Sequence, residues 1–214
     1  MATNPTGTAP NLVERAKNII LRPKAEWPVI DSEPSTIGGI YRSYVAILAA
    51  VPAICMAIGM LVFGISLILV TVRPSAGYVL STVVAQYVLG LIGVYVLALI
   101  IEALAPSFGG TKDRVKAFKL AAYSYTPGWV AGILLLMPSL ALLVALLSLY
   151  CFYLLYLGLP VLMKSRADKT GVYLAAVVAA AIVLYLIVGA VTSAVTRSFA
   201  PVATPASATY SLPG

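Results

Sequence analysis

The sequence predicts an all-α membrane protein: a bundle of five transmembrane helices behind a short amphipathic interfacial helix, with the N-terminus cytoplasmic and the C-terminus outside. Three observations predict it. Of the 214 residues, 61% are hydrophobic and only 10% are charged, where a soluble domain carries about 25% charged residues. Four uncharged runs, Ser43–Val72, Pro74–Ile101, Leu120–Met163 and Thr170–Thr196, occupy most of the chain. The lysines and arginines between those runs fall almost entirely on one side. A mean hydropathy of +1.00 excludes a soluble globular enzyme, because so few charges cannot keep a surface in water. It also excludes a disordered chain, which would be charge-rich and poor in apolar residues.

Residues 1–10, rich in Pro, Thr and Ala, are expected to be disordered. Residues 11–42 form a cytoplasmic segment that opens with a helix from Asn11 to Arg22. Leu12, Val13, Ala16, Ile19 and Ile20 sit at the three-to-four spacing of one apolar stripe. Asn11 and Glu14 have the spacing of a capping box. Arg15, Lys17 and Arg22 are placed to meet lipid phosphates, and Trp27 before Pro28 supplies a ring suited to the headgroup zone. The alternative is a helix packed on loops.

The membrane domain is expected over residues 43–196. A helix needs about 20 apolar residues to cross a hydrocarbon core of roughly 30 Å, so the first, second and fourth runs each make one crossing. The third has 44 residues and would reach roughly 66 Å as one helix, so it must reverse. Met137-Pro138-Ser139 is the reversal point, since proline suits a first turn and not a helix interior. The spans are then about 44–72, 77–104, 120–137, 139–163 and 171–195, followed by a disordered tail over 197–214.

Charge placement supports this count. Arg15, Lys17, Arg22, Lys24 and Arg42 precede the first span, Lys112, Arg114, Lys116 and Lys119 follow the second, and Lys164, Arg166 and Lys169 follow the fourth. Only Arg73 and Arg197 fall on the other side. Twelve against two places the N-terminus in the cytoplasm by the positive-inside rule. No cleavable signal peptide is expected, because the first apolar run begins far into the chain and is too long.

Chemistry-bearing residues are sparse. There is no histidine, which removes imidazole zinc ligands and histidine proton relays, and no catalytic motif of a recognised kind. No cofactor or metal is expected. Cys55 and Cys151 lie in apolar stretches. Glu102, near the end of the second span, is either an interfacial carboxylate close to Lys112, Arg114 or Lys116, or an intramembrane acid facing the bundle. Thirteen tyrosines against five phenylalanines admit two readings. They are interface-belt residues, or Tyr95, Tyr123, Tyr125, Tyr150, Tyr153 and Tyr156 join Glu102 in an intramembrane polar cluster. Small residues at Gly128 and Gly132, at Gly171, Ala175 and Ala179, and at Gly189 and Ser193 permit close helix contacts within the bundle or in a dimer. Pro52 and Pro127 should bend their helices.

Three ordered motifs carry a resemblance. They are Arg15-Ala-Lys-Asn-Ile-Ile-Leu-Arg-Pro-Lys-Ala-Glu-Trp27, Ala122-Tyr-Ser-Tyr-Thr-Pro127 and Tyr156-Leu-Gly-Leu-Pro160. With the five spans they make the chain resemble the bacterial branch of the Ypt-interacting-protein (Yip) domain family over about residues 10–195. The resemblance implies a multi-pass protein of the bacterial inner membrane without established chemistry. The family's eukaryotic members associate with prenylated small GTPases and with one another. This chain lacks their Asp-Leu-Tyr-Gly-Pro element before the first span, and no binding residues of theirs transfer to it. The expected function is a non-enzymatic protein that organises or binds other membrane components. Its expected partners are the lipid bilayer and a second copy or another membrane protein, with no nucleic acid. The alternative is a small transporter or channel for an ion or small polar solute.

Overall fold

The computed structural model describes residues 11–67 and 70–197. The disorder expected over 1–10 and over the tail beyond Arg197 lies outside the described residues. Helix α1 (Leu12–Leu21) starts at Asn11, whose side chain accepts the Glu14 backbone N–H at 2.8 Å. That is the first half of the expected capping box. Pro23 then opens α2 (Pro23–Ser32) at a position where its missing N–H costs nothing. Thr36 caps α3 (Ile37–Phe63), which carries a π-helical turn at Tyr41–Val45. After a two-stranded hairpin, β1 (Ile65–Leu67) antiparallel to β2 (Val70–Val72), come α4 (Ala76–Phe108), α5 (Arg114–Ser124), α6 (Thr126–Ala131) with a 3-10 extension over Gly132–Leu136, α7 (Pro138–Leu162) and α8 (Thr170–Thr196).

Four of these, α3, α4, α7 and α8, are long and apolar enough to cross a membrane. Three boundaries differ from expectation. The first span was expected to continue to residue 72, but its helix ends at Phe63. Gly64 takes φ +77° there, a conformation open to glycine and costly for other residues, and the residues beyond it pair as a short hairpin within an otherwise all-helical fold. The third span was expected as a helix over 120–137. It begins earlier, at Arg114 under an Asp113 cap, and is broken at Tyr125 just before Pro127. Helix α2 has no counterpart in the sequence reading, which treated Trp27-Pro28 as an interfacial element.

The broken third segment runs alongside α3. Tyr44 and Thr126 share a hydrogen bond of 2.7 Å. Gly132 lies against Pro52, so closely that a Cβ there would overlap the proline, and Gly59 lies against the Leu135 and Leu136 carbonyls. The segment therefore reaches the level of Gly59, about one turn before α3 ends, and the Pro138 turn lies beside β1. Helices α4 and α8 pack antiparallel: Tyr173 donates to the Ile101 carbonyl at one end, and Leu184 meets Gly93 further along.

Burial is unequal along the bundle. The largest fully buried side chains, among them Trp27, Phe118, Tyr173, Ile101, Leu120, Leu159 and Ile30, collect at the end that carries the basic loops. Toward the hairpin end the helices present apolar side chains outward, such as Leu80, Ile182 and Leu186. Of the small-residue contacts, Gly128 (against Ser148 and Cys151) and Gly132 are used within the chain, whereas Gly171, Ala175, Ala179, Gly189 and Ser193 all face outward on α8.

Candidate functional site

The polar side chains converge where α1 and α2 close the basic end of the bundle. Arg15, on the inner face of α1, is only 4% exposed and donates to Glu26 at 2.6 Å and to both carboxylate oxygens of Glu33. Its guanidinium also lies 5.8 Å from the Tyr123 ring centroid, within reach of a cation–π attraction. Lys119, buried on α5, donates to the Ile30 carbonyl at 2.7 Å and the Glu33 carbonyl at 2.5 Å. These are the last carbonyls of α2, where a cation is favoured by the helix dipole. Asp31 bridges Lys116 at 2.7 Å and Lys164 at 2.9 Å. Tyr150 donates to the Ile20 carbonyl at 2.9 Å. Through these bonds α1 and α2 are fastened to α5, α7 and the loop after α7.

Apolar packing works with them. Trp27 is fully buried, and its ring sits over Gly158 of α7, where a side chain would collide with it. Ile19 and Ile30 are fully buried beside it in the same core. The expectation that Trp27 lies in the headgroup zone is therefore corrected, as is the expectation that Arg15 meets lipid phosphates. Both point inward, because α2 folds back under α1 and offers Arg15 two carboxylates. Lys17 and Arg22 remain exposed.

Electrostatics differ across the cap. Burial pushes the Glu26 carboxyl above its ordinary value, with Arg15 pulling the other way. For Asp31 burial also favours the neutral form, but the hydrogen bonds from Lys116 and Lys164 outweigh it and hold the carboxyl below 3.8. An acid depressed on folding contributes stability that is present above its unfolded value and lost as pH falls through its folded one. The Asp31 bridge should therefore hold through the ordinary aspartate titration range and release only as pH falls below it. Hydrogen exchange of α2 amides across that range should show α2 loosened only at its acid end, and Asp31→Asn should loosen it modestly already at pH 7.

The residues singled out from sequence are not one cluster. Glu102 pairs with Arg114 at 2.9 Å, one of the three basic partners expected for it. Tyr95, two turns before it on α4, packs near Phe118 with ring centroids 6.3 Å apart. Tyr123 is buried edge-on to Tyr44 at 4.7 Å, and Tyr125 stacks on Trp129 at 5.9 Å. Tyr150 meets Tyr153 at 5.3 Å, but Tyr153 and Tyr156 are exposed. Several phenols tie helices together: besides Tyr150 and Tyr173, Tyr41 donates to the Leu91 carbonyl and Tyr87 to the Ala46 carbonyl. The sequence reading missed Arg15, Glu26, Glu33 and Lys119 as partners. The available signal was three acids, Glu26, Asp31 and Glu33, close behind the bases of α1, one of them beside a tryptophan.

Among the described residues no three His, Cys, Asp or Glu side chains are grouped to hold a metal. The site is a set of mutually satisfied charges, an arrangement suited to holding a segment in place.

A family model described as Yip1 domain matches residues 17–190. The chain is 30% identical over 151 residues to "Inner membrane protein YohC" of Escherichia coli strain K12, covering 69% of this chain and 77% of that protein. The protein of the same description from Escherichia coli O6:H1 matches to the same extent. No solved structure matches.

Proposed function

The chain belongs to the Yip1 domain family, and on that premise we propose that it is a non-enzymatic, five-span protein of the bacterial inner membrane that organises or binds other membrane components. Location in the inner membrane is supported by the Escherichia coli relative. Five crossings are supported by the path of the third segment. From Leu120, the first residue beyond the charged cap, to Leu136 its helical and 3-10 turns cover roughly 28 Å, close to the thickness of a hydrocarbon core of about 30 Å. It ends beside β1 near the far end of α3. The basic loops then share the cytoplasmic face, and the C-terminus lies outside.

The observation that carries the role is the cap. Arg15, Glu26, Glu33 and Lys119 satisfy one another across the cytoplasmic end, and Glu102 is held by Arg114 at the rim. Such pairing supports a bundle closed on that side, and the outward-facing small residues of α8 support self-association. The test is co-purification of the full chain after crosslinking in intact membranes, with a liposome flux assay alongside. A crosslinked second copy or membrane-protein partner is expected, together with equal, background flux from wild type and Glu102→Gln. A strictly monomeric protein, or solute flux abolished by Glu102→Gln, would overturn the reading. Reporter fusions at the two termini test the crossings; both reporters in one compartment would refute an odd number.

A further inference from the structure

We propose that the groove between the first half of α4 and the last turns of α8 seats a phospholipid, with one acyl chain in the groove and its phosphate held between Arg73 and Arg197. This deepens the proposed role by naming one membrane component that is bound. The groove has a volume of about 500 Å³, and its walls include Gly77, Ser81, Val84 and Val88 of α4 and Val191 and Val195 of α8. Small residues at Gly77, Ser81 and Ala85, each one turn apart, draw back the α4 wall. The Ser81 hydroxyl is occupied, donating to the Tyr78 carbonyl at 3.0 Å, so the surface offered to an occupant is hydrocarbon. A chain of methylenes fits such a surface; a polar solute does not.

The mouth has the opposite character. Arg73 lies two residues before Ser75, the N-cap of α4, and Arg197 directly follows the last residue of α8. Both are exposed, and neither has an ion-pair partner among the described residues. They are the two basic residues, of fourteen, that fall outside the basic end, and in the chain Arg73 precedes the groove residue Gly77 by four positions while Arg197 follows Val195 by two. The N-terminus of α4 adds its own partial positive charge. Apolar walls below two cations match the two parts of an anionic phospholipid. A helix from a second copy would fill the walls but bring no anion, and in a symmetric pair it would bring more arginine to the same place.

The test is native mass spectrometry of the full chain released from phosphatidylglycerol nanodiscs. One retained phosphatidylglycerol per chain is expected for wild type. Arg73→Gln and Arg197→Gln should each lower its affinity about fivefold, and the double variant roughly thirtyfold. Ala85→Phe, which fills the groove and leaves both arginines, should also lose the lipid. Equal retention in all variants would mean unspecific annular lipid. Loss in the arginine variants with retention in Ala85→Phe would mean a headgroup contact without a chain seat. Disulfide-linked dimers of Val195→Cys that exclude the lipid would assign the groove to a second copy. Each of these three results overturns the proposal. Labelling of Arg73→Cys by an impermeant thiol reagent reads the topology separately, since the seat stands whichever leaflet it opens to.

Discussion

Arg15→Met should release the N-terminal cap. Removing one partner of a buried ion pair leaves the other charged and uncompensated, at a cost of about 3–5 kcal/mol. Glu26 is the group left stranded, with its side chain 9% exposed, while Glu33 at 28% can turn toward water. The loss falls on the docking of α1 and α2, because the residues Arg15 holds belong to α2 and the loop after it. Trypsin should then cut rapidly after Lys17 and Lys24, which are exposed but shielded while their helices stay folded. The transmembrane helices should stay resistant. The second substitution Glu26→Gln in the Arg15→Met background removes the stranded charge and should restore most of the protection. That rescue separates an electrostatic lock from simple loss of arginine packing. Equal cleavage of wild type and Arg15→Met would show that the pair does not hold the cap.

The membrane class was legible in the sequence because the long apolar runs and the one-sided lysines and arginines are properties of composition alone. The caps at Asn11, the helix end before Pro23 and the break near Pro127 were legible too, since each follows from a local backbone preference. The inward turn of Arg15 and Trp27 was not. Both sit on an amphipathic segment rich in bases, and periodicity cannot tell an apolar stripe facing lipid from one facing protein. What decides it is α2, whose return under α1 depends on contacts with Gly158 and Lys119, both remote in the chain. The tyrosines misled for a related reason. Counting phenols suggested a shared polar cluster, whereas Tyr41, Tyr87, Tyr150 and Tyr173 each find a carbonyl on another helix. The hairpin after Gly64 was hidden inside an uncharged run, where β-branched residues serve a strand as well as a lipid-facing helix.

Trp27→Ala should be as damaging as the loss of Arg15, by a different route. Truncating a fully buried tryptophan costs about 3–5 kcal/mol, and here the cavity would open between α2, Leu120 and α7. Gly158 provides the check on that geometry. A Cβ added there would come within 2.9 Å of the Trp27 ring and would also overlap the Leu120 side chain. Gly158→Ala alone should therefore cost about 1–3 kcal/mol through overpacking. In the Trp27→Ala background the Leu120 side chain can turn into the space the ring leaves and make way for the added methyl, so the same substitution should cost less than in the parent protein. Thermal unfolding of the four proteins in one detergent measures the coupling. Residues in contact depart from additivity by about 0.5–3 kcal/mol, and separated ones do not. Additive losses would mean that Trp27 does not sit over Gly158. The cap would then be held by its ion pairs without the apolar anchor, and Arg15→Met would free α1 and α2 with nothing left to retain them.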